Sequence, residues 1–223
     1  MLKGVIFDVD GTLVDSNDAH AQSWVDTFRE AGYDVPFDKV RPLIGMGGDK
    51  LLPKTIGISR DSDEGKKLLE RRGQIFSRDY LPHLRPLPGA RDLVQRVKRD
   101  GLKAIVATSA KEQQLKGLLK AAQVDDLMEE KATASDAKHS KPDPDIVHAA
   151  IEESGISPAQ LVMIGDTPYD VEAAAKAKLR TIAFLSGGWN KEALKGAVEI
   201  YDGPADLLAH YDSSLLGKES ANR

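Results

Sequence analysis

Short apolar runs recur along the chain, and stretches with helical periodicity separate them. Runs of roughly 4–8 apolar residues are typical of strands that are buried on both faces of a sheet. Such runs predict strands at residues 2–6, 103–107, 161–164, 180–185 and 198–201. Between them, apolar residues three and four positions apart predict helices at residues 90–100, 111–122 and 144–154. This alternation predicts an α/β fold with a Rossmann-like parallel sheet.

The segment from residue 15 to residue 86 has a different pattern. Two groups of apolar residues at helical spacing mark amphipathic helices: Ala21, Trp24, Val25 and Phe28, then Leu68, Leu69, Ile75 and Phe76. No convincing strand pattern lies between them, and the proline- and glycine-rich run at 84–89 reads as a hinge. We therefore predict an α/β core domain at 1–14 and 87–223 and an inserted all-helical domain at 15–86. The polar tail at 212–223 is expected to fray.

Composition excludes several classes of function. The 223 residues are 41% hydrophobic and 30% charged, as in an ordinary globular protein. The net charge of −4 argues against a nucleic-acid-binding surface, and no apolar run approaches the ~20 residues of a membrane span. The lack of cysteine excludes disulfides and a cysteine nucleophile. We expect a cytoplasmic protein without a signal peptide, with no nucleic-acid or membrane partner, as a monomer or weak homodimer.

Two carboxylates directly follow the first predicted strand. Asp8 and Asp10 lie in the run FDVDGT, where Gly11 permits a sharp bend. In open α/β sheets, ligands bind beyond the carboxyl ends of the strands. Aspartates this close repel each other unless a cation or a shared proton lies between them. The motif therefore predicts a small charged site at the end of the first strand.

Groups of complementary chemistry follow in the later part of the chain. They are, in order, Thr108, Ser109 and Ala110 after the second strand, Lys141 in the run KPDPDIV, and Asp166 and Asp170 in the run GDTPYD. With the first motif, this set resembles the haloacid dehalogenase superfamily, and the resemblance covers nearly the whole chain. It implies a Rossmann-like core with an inserted helical cap that closes over the active site.

The resemblance also implies residue roles in a phosphoryl transfer that depends on Mg²⁺. Asp8 would be the nucleophile that forms an aspartyl-phosphate. Asp10 would be the general acid/base that protonates the leaving alkoxide and then activates water. Mg²⁺ prefers oxygen ligands, and Asp8, the backbone carbonyl of Asp10 and Asp166 would supply them, with Asp170 in support. Lys141 would bridge Asp8 and the phosphate.

A phosphate dianion among carboxylates needs positive charge and hydrogen-bond donors. Backbone amides at a strand-to-helix turn are unsatisfied and favour an anion. The groups expected to hold the phosphate are the ammonium of Lys141, the hydroxyl of Thr108 and the amides of Val9, Asp10, Ser109 and Ala110.

Four residues of the predicted cap are candidates for substrate specificity. His20 lies in the first cap helix, and Gly45, Met46 and Gly47 form a small, neutral turn that would face the leaving group. This loop resembles that of phosphoglycolate phosphatases. The favoured function is therefore a phosphatase for a small phosphorylated metabolite, such as phosphoglycolate or a sugar phosphate.

Two alternatives stay open. A hexose-phosphate mutase that resembles beta-phosphoglucomutase would keep Asp10 and a histidine such as His20, but it needs a second phosphate site in the cap. The loop 45–50 contains no arginine for that site, although Arg41 or Lys50 could serve. A non-catalytic binding protein with the same fold is expected to have lost a predicted catalytic group, and all of them are present.

Overall fold

A parallel sheet forms the centre of the molecule. The computed structural model describes residues 1–128 and 130–220, and all statements below concern these residues. The strands are β1 (Gly4–Phe7), β2 (Val14–Asp15), β3 (Arg85–Pro86), β4 (Lys103–Ala107), β5 (Glu130–Ala132), β6 (Leu161–Gly165), β7 (Arg180–Phe184) and β8 (Glu199–Tyr201). Of these described strands, six pair in the order β5-β4-β1-β6-β7-β8, and every pairing is parallel. The expected α/β fold is confirmed.

Helices cover both faces of this sheet and fill the segment between β2 and β3. The α-helices of the described residues are α1 (Asn17–Glu30), α2 (Phe37–Val40), α3 (Gly48–Ile56), α4 (Asp63–Ile75), α5 (Ala90–Arg99), α6 (Glu112–Ala121), α7 (Asp145–Ser154), α8 (Pro168–Lys176), α9 (Pro204–Ala209) and α10 (Leu215–Glu219). A π-helical turn over Phe76–Tyr80 continues α4. The three helices predicted between the strands correspond to α5, α6 and α7.

The central strand β1 is buried because helices pack on both of its faces. Successive side chains of a strand point to opposite faces. Val5 and Phe7 therefore pack into the apolar cluster that includes α5 and α6, whereas Ile6 packs into the cluster that includes α7 and α8. All three side chains are fully buried. This burial explains the continuous apolar run that marks the strand in the sequence.

The segment between β2 and β3 has an apolar cluster of its own. Trp24 and Phe28 of α1 pack there with Leu51 of α3 and Leu68 of α4. The short antiparallel ribbon of β2 and β3 brings both ends of this segment together. Division into a core and an inserted domain at 15–86 remains a prediction from the sequence, and the separate cluster is consistent with it.

The C-terminal part of the chain differs from its prediction. The tail was expected to fray, but α10 packs against the sheet, and Tyr211 and Leu216 are fully buried. The N–H of Leu2 also donates to the carbonyl of Glu219 at 2.7 Å. The prediction is therefore wrong as far as Ser220, and residues 221–223 lie outside the described part. Within that part, we find no helix with the length and apolarity that a membrane span requires.

Candidate active site

Asp8 lies at the carboxyl end of β1, in the middle of the sheet. Its backbone N–H donates to the carbonyl of Ile164 on β6 at 2.9 Å, and only 4% of the residue is exposed. The Lys141 ammonium donates to Asp8 Oδ1 at 2.5 Å and to Asp170 Oδ1 at 2.6 Å. Lys141 is itself 1% exposed. A buried lysine thus bridges two buried carboxylates.

Asp170 is placed by the start of helix α8. Thr167 precedes the helix, and its N–H and hydroxyl donate to Asp170 Oδ2 at 3.0 and 2.6 Å. The N–H of Asp170 donates back to the Thr167 hydroxyl, which completes a reciprocal capping box. One carboxylate oxygen of Asp170 is therefore used by the helix cap, and the other is directed at Lys141.

Asp166 follows β6 and is also fully buried. Its two oxygens accept hydrogen bonds from the Thr12 hydroxyl at 3.0 Å and from the Asn17 amide at 2.8 Å. Gly11 has a φ of 73°, and a Cβ at this position would lie 2.2 Å from Asp166 Oδ2. The turn after β1 can pass this carboxylate only because residue 11 is glycine.

Asp8, Asp166 and Asp170 form what we call the carboxylate cluster. One oxygen of each lies within 4.8 Å of the others. Three carboxylates face a single ammonium, that of Lys141, so the ionised cluster carries excess negative charge. All of its donors are oxygens, and hard divalent cations such as Mg²⁺ prefer oxygen ligands. The residues present therefore fit the expected Mg²⁺.

Burial and neighbouring charges together set the proton affinities in the carboxylate cluster. It raises the pKa of Asp8 well above its ordinary value, against the opposing charge of Lys141. Burial and the charge of Asp170 raise the pKa of Asp166 to about 7. Burial alone would lower the pKa of Lys141, but Asp170 and Asp8 raise it above its ordinary value. Lys141 therefore stays charged, and the cluster tends to retain protons until a cation replaces them.

Asp10 faces the helical segment through a second set of contacts, the Asp10–His20–Arg72 network. Asp10 Oδ1 accepts from the Ser16 hydroxyl at 2.5 Å and lies 2.6 Å from His20 Nε2. The other ring nitrogen, Nδ1, contacts the guanidinium of Arg72. A guanidinium can only donate, so we assign Nδ1 as the acceptor and Nε2–H as the donor to Asp10.

The proton affinities in this network differ from those in the carboxylate cluster. Burial alone would raise the pKa of Asp10, but His20, Ser16 and Arg72 together hold it below its ordinary value. Burial lowers the pKa of His20 and lowers that of Arg72 to about 10. Near neutral pH, Asp10 is therefore ionised, His20 is neutral and Arg72 is charged. The imidazole also stacks on Phe76 at a centroid distance of 4.1 Å.

A cavity of about 500 Å³ lies where the carboxylate cluster and the network meet. It brings together most of the residues that the sequence singles out: Asp8, Asp10, His20, Gly45, Met46, Gly47, Thr108, Ser109, Ala110 and Lys141. Asp166 and Asp170 lie in the carboxylate cluster beside Asp8. The side chain of Val9 is fully buried in the core cluster, so this residue can reach the cavity only through its backbone.

The turn after β4 holds the predicted phosphate-binding groups. Thr108 is 1% exposed, and its N–H donates to the carbonyl of Ala132 at 3.1 Å. The N–H of Ala110 donates to the Thr108 hydroxyl at 3.1 Å, so this predicted phosphate donor already has a partner within the turn. The hydroxyl of Ser109 is buried and has no hydrogen-bond partner in the described part of the chain. Ser109 is thus a free polar group at the cavity.

The two cations of the 15–86 segment that were considered for a second phosphate site, Arg41 and Lys50, are engaged elsewhere. Arg41 donates to Asp18 at 2.5 Å and to the carbonyl of Gly187 at 2.9 Å. Lys50 donates to Asp143 at 2.5 Å. Arg41 and Lys50 are therefore already paired within the protein, although the sequence made them candidates for binding a second phosphate.

Arg72, which no sequence motif singled out, lines the cavity and is part of the network. Arg72 lies on α4, four residues after Leu68 and three before Ile75, and both of these are buried. The sequence does contain an indication of this role, because Arg72 is a charged residue on the apolar face of a helix. Such a charge needs buried partners.

The chain belongs to the haloacid dehalogenase-like hydrolase family, which it matches over residues 5–184. Phosphoglycolate phosphatase of Rhodospirillum rubrum is 30% identical over 220 residues, which cover 93% of this chain and 90% of that protein. The chloroplastic protein SUPPRESSOR OF QUENCHING 1 of Arabidopsis thaliana is 34% identical over 189 residues. That match covers 82% of this chain but only 18% of the plant protein.

A solved structure supports the same assignment. The crystal structure of a hydrolase from Pseudomonas syringae superposes with a TM-score of 0.87 and 31% identity. The match covers 95% of this chain and 98% of that one. The resemblance inferred from the motifs is thereby confirmed at the level of family and fold, and the chain is a hydrolase of this family.

Proposed function

We propose that the protein is a Mg²⁺-dependent phosphatase that hydrolyses a small phosphomonoester through an aspartyl-phosphate. The observation that carries this proposal is that Asp8 and Asp10 line one cavity in different surroundings. Asp8 is held by Lys141 within the carboxylate cluster, as a nucleophile near a cation should be. Asp10 is held by Ser16 and His20, as a proton-transfer group should be.

In the first step, a carboxylate oxygen of Asp8 attacks phosphorus while the bond to the leaving oxygen breaks. The Lys141 ammonium offsets negative charge between Asp8 and the phosphate. Asp10 donates a proton to the leaving alkoxide. Asp10 takes up this proton from solvent as substrate binds, because the negative charge of the incoming phosphate raises the pKa of Asp10. Mg²⁺, held by Asp8, Asp166 and the backbone carbonyl of Asp10, would neutralise phosphate charge when bound.

In the second step, Asp10 acts as the base. It takes a proton from a water molecule, whose oxygen attacks the phosphorus of the aspartyl-phosphate. The bond between phosphorus and the Asp8 oxygen breaks, which releases inorganic phosphate and restores the carboxylate. Asp10 is ionised at this point because it has given its proton to the leaving group, so its carboxylate can accept the proton of the water.

The shape of the cavity supports a small substrate. We propose that the helical segment at 15–86 is the cap, since its residues Met46 and Trp24 line the same cavity as Asp8. A closed cap excludes bulky partners from the site. The identity of the Rhodospirillum rubrum relative supports phosphoglycolate as one candidate, and sugar phosphates of similar size are others.

The engaged cations favour a phosphatase over a mutase. A mutase must hold a second phosphate while the bisphosphate reorients, and this requires an available positive charge in the cap. Arg41 and Lys50 are paired with Asp18 and Asp143, and the guanidinium of Arg72 is used by His20 and Ser23. Water is therefore the acceptor that we propose for the phosphoryl group.

The test is phosphate release from p-nitrophenyl phosphate, with Mg²⁺ and after exhaustive chelation. We expect turnover that chelation abolishes and added Mg²⁺ restores. Undiminished release in the chelated protein would overturn the metal requirement.

A substrate panel then separates the two activities. Phosphoglycolate, hexose 1-phosphates and hexose bisphosphates are incubated with the enzyme, and free phosphate and the hexose 6-phosphate are both measured. We expect free phosphate to exceed the isomer. Isomer that forms much faster than phosphate would favour the mutase instead.

A further inference from the structure

The loop that carries Lys141 is held by the proposed cap as well as by the core. The N–H of Gly47 donates to the Ser140 hydroxyl at 2.9 Å, and the N–H of Ser140 donates to Asp49 Oδ2 at 3.2 Å. The ammonium of Lys50 donates to Asp143 Oδ2 at 2.5 Å. We call these three contacts the cap clasp. They join residues 47–50 to the residues on both sides of Lys141.

The clasp acts on a part of the chain that no strand holds in place. Lys141 lies between β5 and α7, in irregular backbone. Core contacts to this loop include the Lys176 ammonium, which donates to the carbonyl of Pro142 at 3.0 Å. The Lys141 side chain nevertheless has to place its ammonium between Asp8 and Asp170. The position of this backbone therefore matters for the chemistry, and the clasp contributes to it.

Gly47 shows how closely the two sides approach. Its φ is −78°, which any residue can adopt, so backbone conformation does not require glycine here. A Cβ at this position would, however, lie 2.6 Å from Ser140 Cβ and 2.7 Å from Asp49 Oδ1. Glycine is needed at residue 47 because of the approach to Ser140. The same loop lines the substrate cavity.

We propose that Asp49, Lys50, Ser140 and Asp143 are positioning residues, which place the Lys141 ammonium when the cap loop is seated on the core. This inference rests on the proposed function. When residues 47–50 contact the core, the Lys141 ammonium is placed between Asp8 and Asp170 at the same time.

The first test separates positioning from surface stabilisation through the Lys50–Asp143 pair. Lys50→Met keeps most of the side-chain length and removes the charge. We expect kcat on p-nitrophenyl phosphate to fall about fivefold, as for a partly exposed ion pair, with little change in KM. Lys50→Arg should restore kcat. Lys54→Met, which changes an exposed lysine on the same helix, is the matched control and should match the wild type.

The second test uses the close approach at Gly47. Gly47→Ala should force the loop away from Ser140 and lower kcat about tenfold, because small displacements of catalytic groups are costly. Thermal unfolding should stay close to that of the wild type. Lys50→Met combined with Asp143→Asn should cost no more than Asp143→Asn alone, because Asp143 also pairs with Lys176 at 3.7 Å and its replacement already removes the Lys50 contact. Additive losses, or Lys50→Met kinetics equal to those of the wild type, would overturn the proposal.

Hydrogen exchange tests the clasp without reference to activity. The amide of Ser140 is a donor in the clasp, so the peptide over 138–144 should exchange faster in Lys50→Met and Gly47→Ala than in the wild type. The Lys54→Met control should leave this exchange unchanged. If the wild type shows no phosphatase activity, the proposed function is contradicted. The exchange rates still test whether the clasp holds the loop that carries Lys141. Unchanged exchange in both variants would refute it.

Discussion

Asp8 and Asp10 are two residues apart in the chain, yet they belong to regions with opposite electrostatics. Asp8 lies in the carboxylate cluster, where burial raises its pKa. Asp10 lies in a network with His20 and Arg72, which holds its pKa below its ordinary value. Gly11, with its positive φ, turns the chain directly after this pair. Spacing identifies a pair of carboxylates, but the side chains that surround each one divide the chemistry between them.

The largest effect should follow from Asp8→Asn. The amide is nearly isosteric with the carboxylate, but it cannot attack phosphorus. We expect kcat to fall by at least about 10⁴-fold on every phosphomonoester, as for loss of a nucleophile. Circular dichroism and thermal unfolding should show an intact fold. Measurable turnover near the wild-type rate would remove Asp8 from the nucleophile role.

Asp10→Asn should have an effect that depends on the leaving group. Removal of a general acid costs typically ~10²–10⁴-fold. We expect the upper part of this range for an alkyl phosphate, whose alkoxide needs a proton, and a smaller loss for p-nitrophenyl phosphate. For the two substrates, we compare the rate of the first step, in which Asp8 is phosphorylated and the leaving group departs. Equal losses on both would show that Asp10 does not protonate the leaving group.

Removal of the buried cation should cost more in the carboxylate cluster than in the network. Lys141→Met leaves Asp8 and Asp170 without their cation, which typically costs ~3–5 kcal/mol. Arg72→Met leaves one acceptor of His20 unsatisfied, which costs about 1–3 kcal/mol. Urea unfolding in the absence of metal measures both, and the exposed Lys195→Met is the control. Equal costs would mean that the two regions do not differ as the structure indicates.

A smaller effect is expected in the pH dependence of stability. The pKa of Asp166 is raised from 3.8 to about 7, so the folded state binds this proton more tightly than the unfolded state. Without metal, the free energy of unfolding should therefore fall as pH rises from about 4 to 7, by on the order of 3 kcal/mol. In Asp166→Asn the fall should be reduced. A wild-type curve that rises over this range would contradict the assignment.

The strands that position the site could be predicted because they are continuous apolar runs. Observed β4 has the predicted bounds, and β6 extends its prediction by one residue, to Gly165. The strand β5 was missed, because its residues Glu130–Ala132 form no apolar run and its identity depends on pairing with β4. The carboxylates at strand ends were found because parallel strands end at the same edge of a sheet.

The helical side of the site was less predictable, because its contacts join distant parts of the chain. The partner of Lys50 lies 93 residues away, and the Gly187 carbonyl that Arg41 contacts lies 146 residues away. Local pattern contains no information about such pairs. Arg72 also lies on a helix whose rotation toward the cavity depends on packing against α1. The motifs therefore identify the carboxylates of the site but not Arg72, the buried cation near Asp10.

The central place of β1 in the sheet has a consequence for biosynthesis. Gly4 pairs with Lys103 on one side and with Leu161 on the other, so both partners leave the ribosome long after β1 itself. At about 5–20 residues per second, the first strand waits roughly 10–30 s for its second neighbour. The helical segment at 15–86 emerges in full before either partner and can bury its own apolar cluster. The helical segment can therefore fold before the sheet is complete. Asp8 can contact Asp166 only after β6 has left the ribosome.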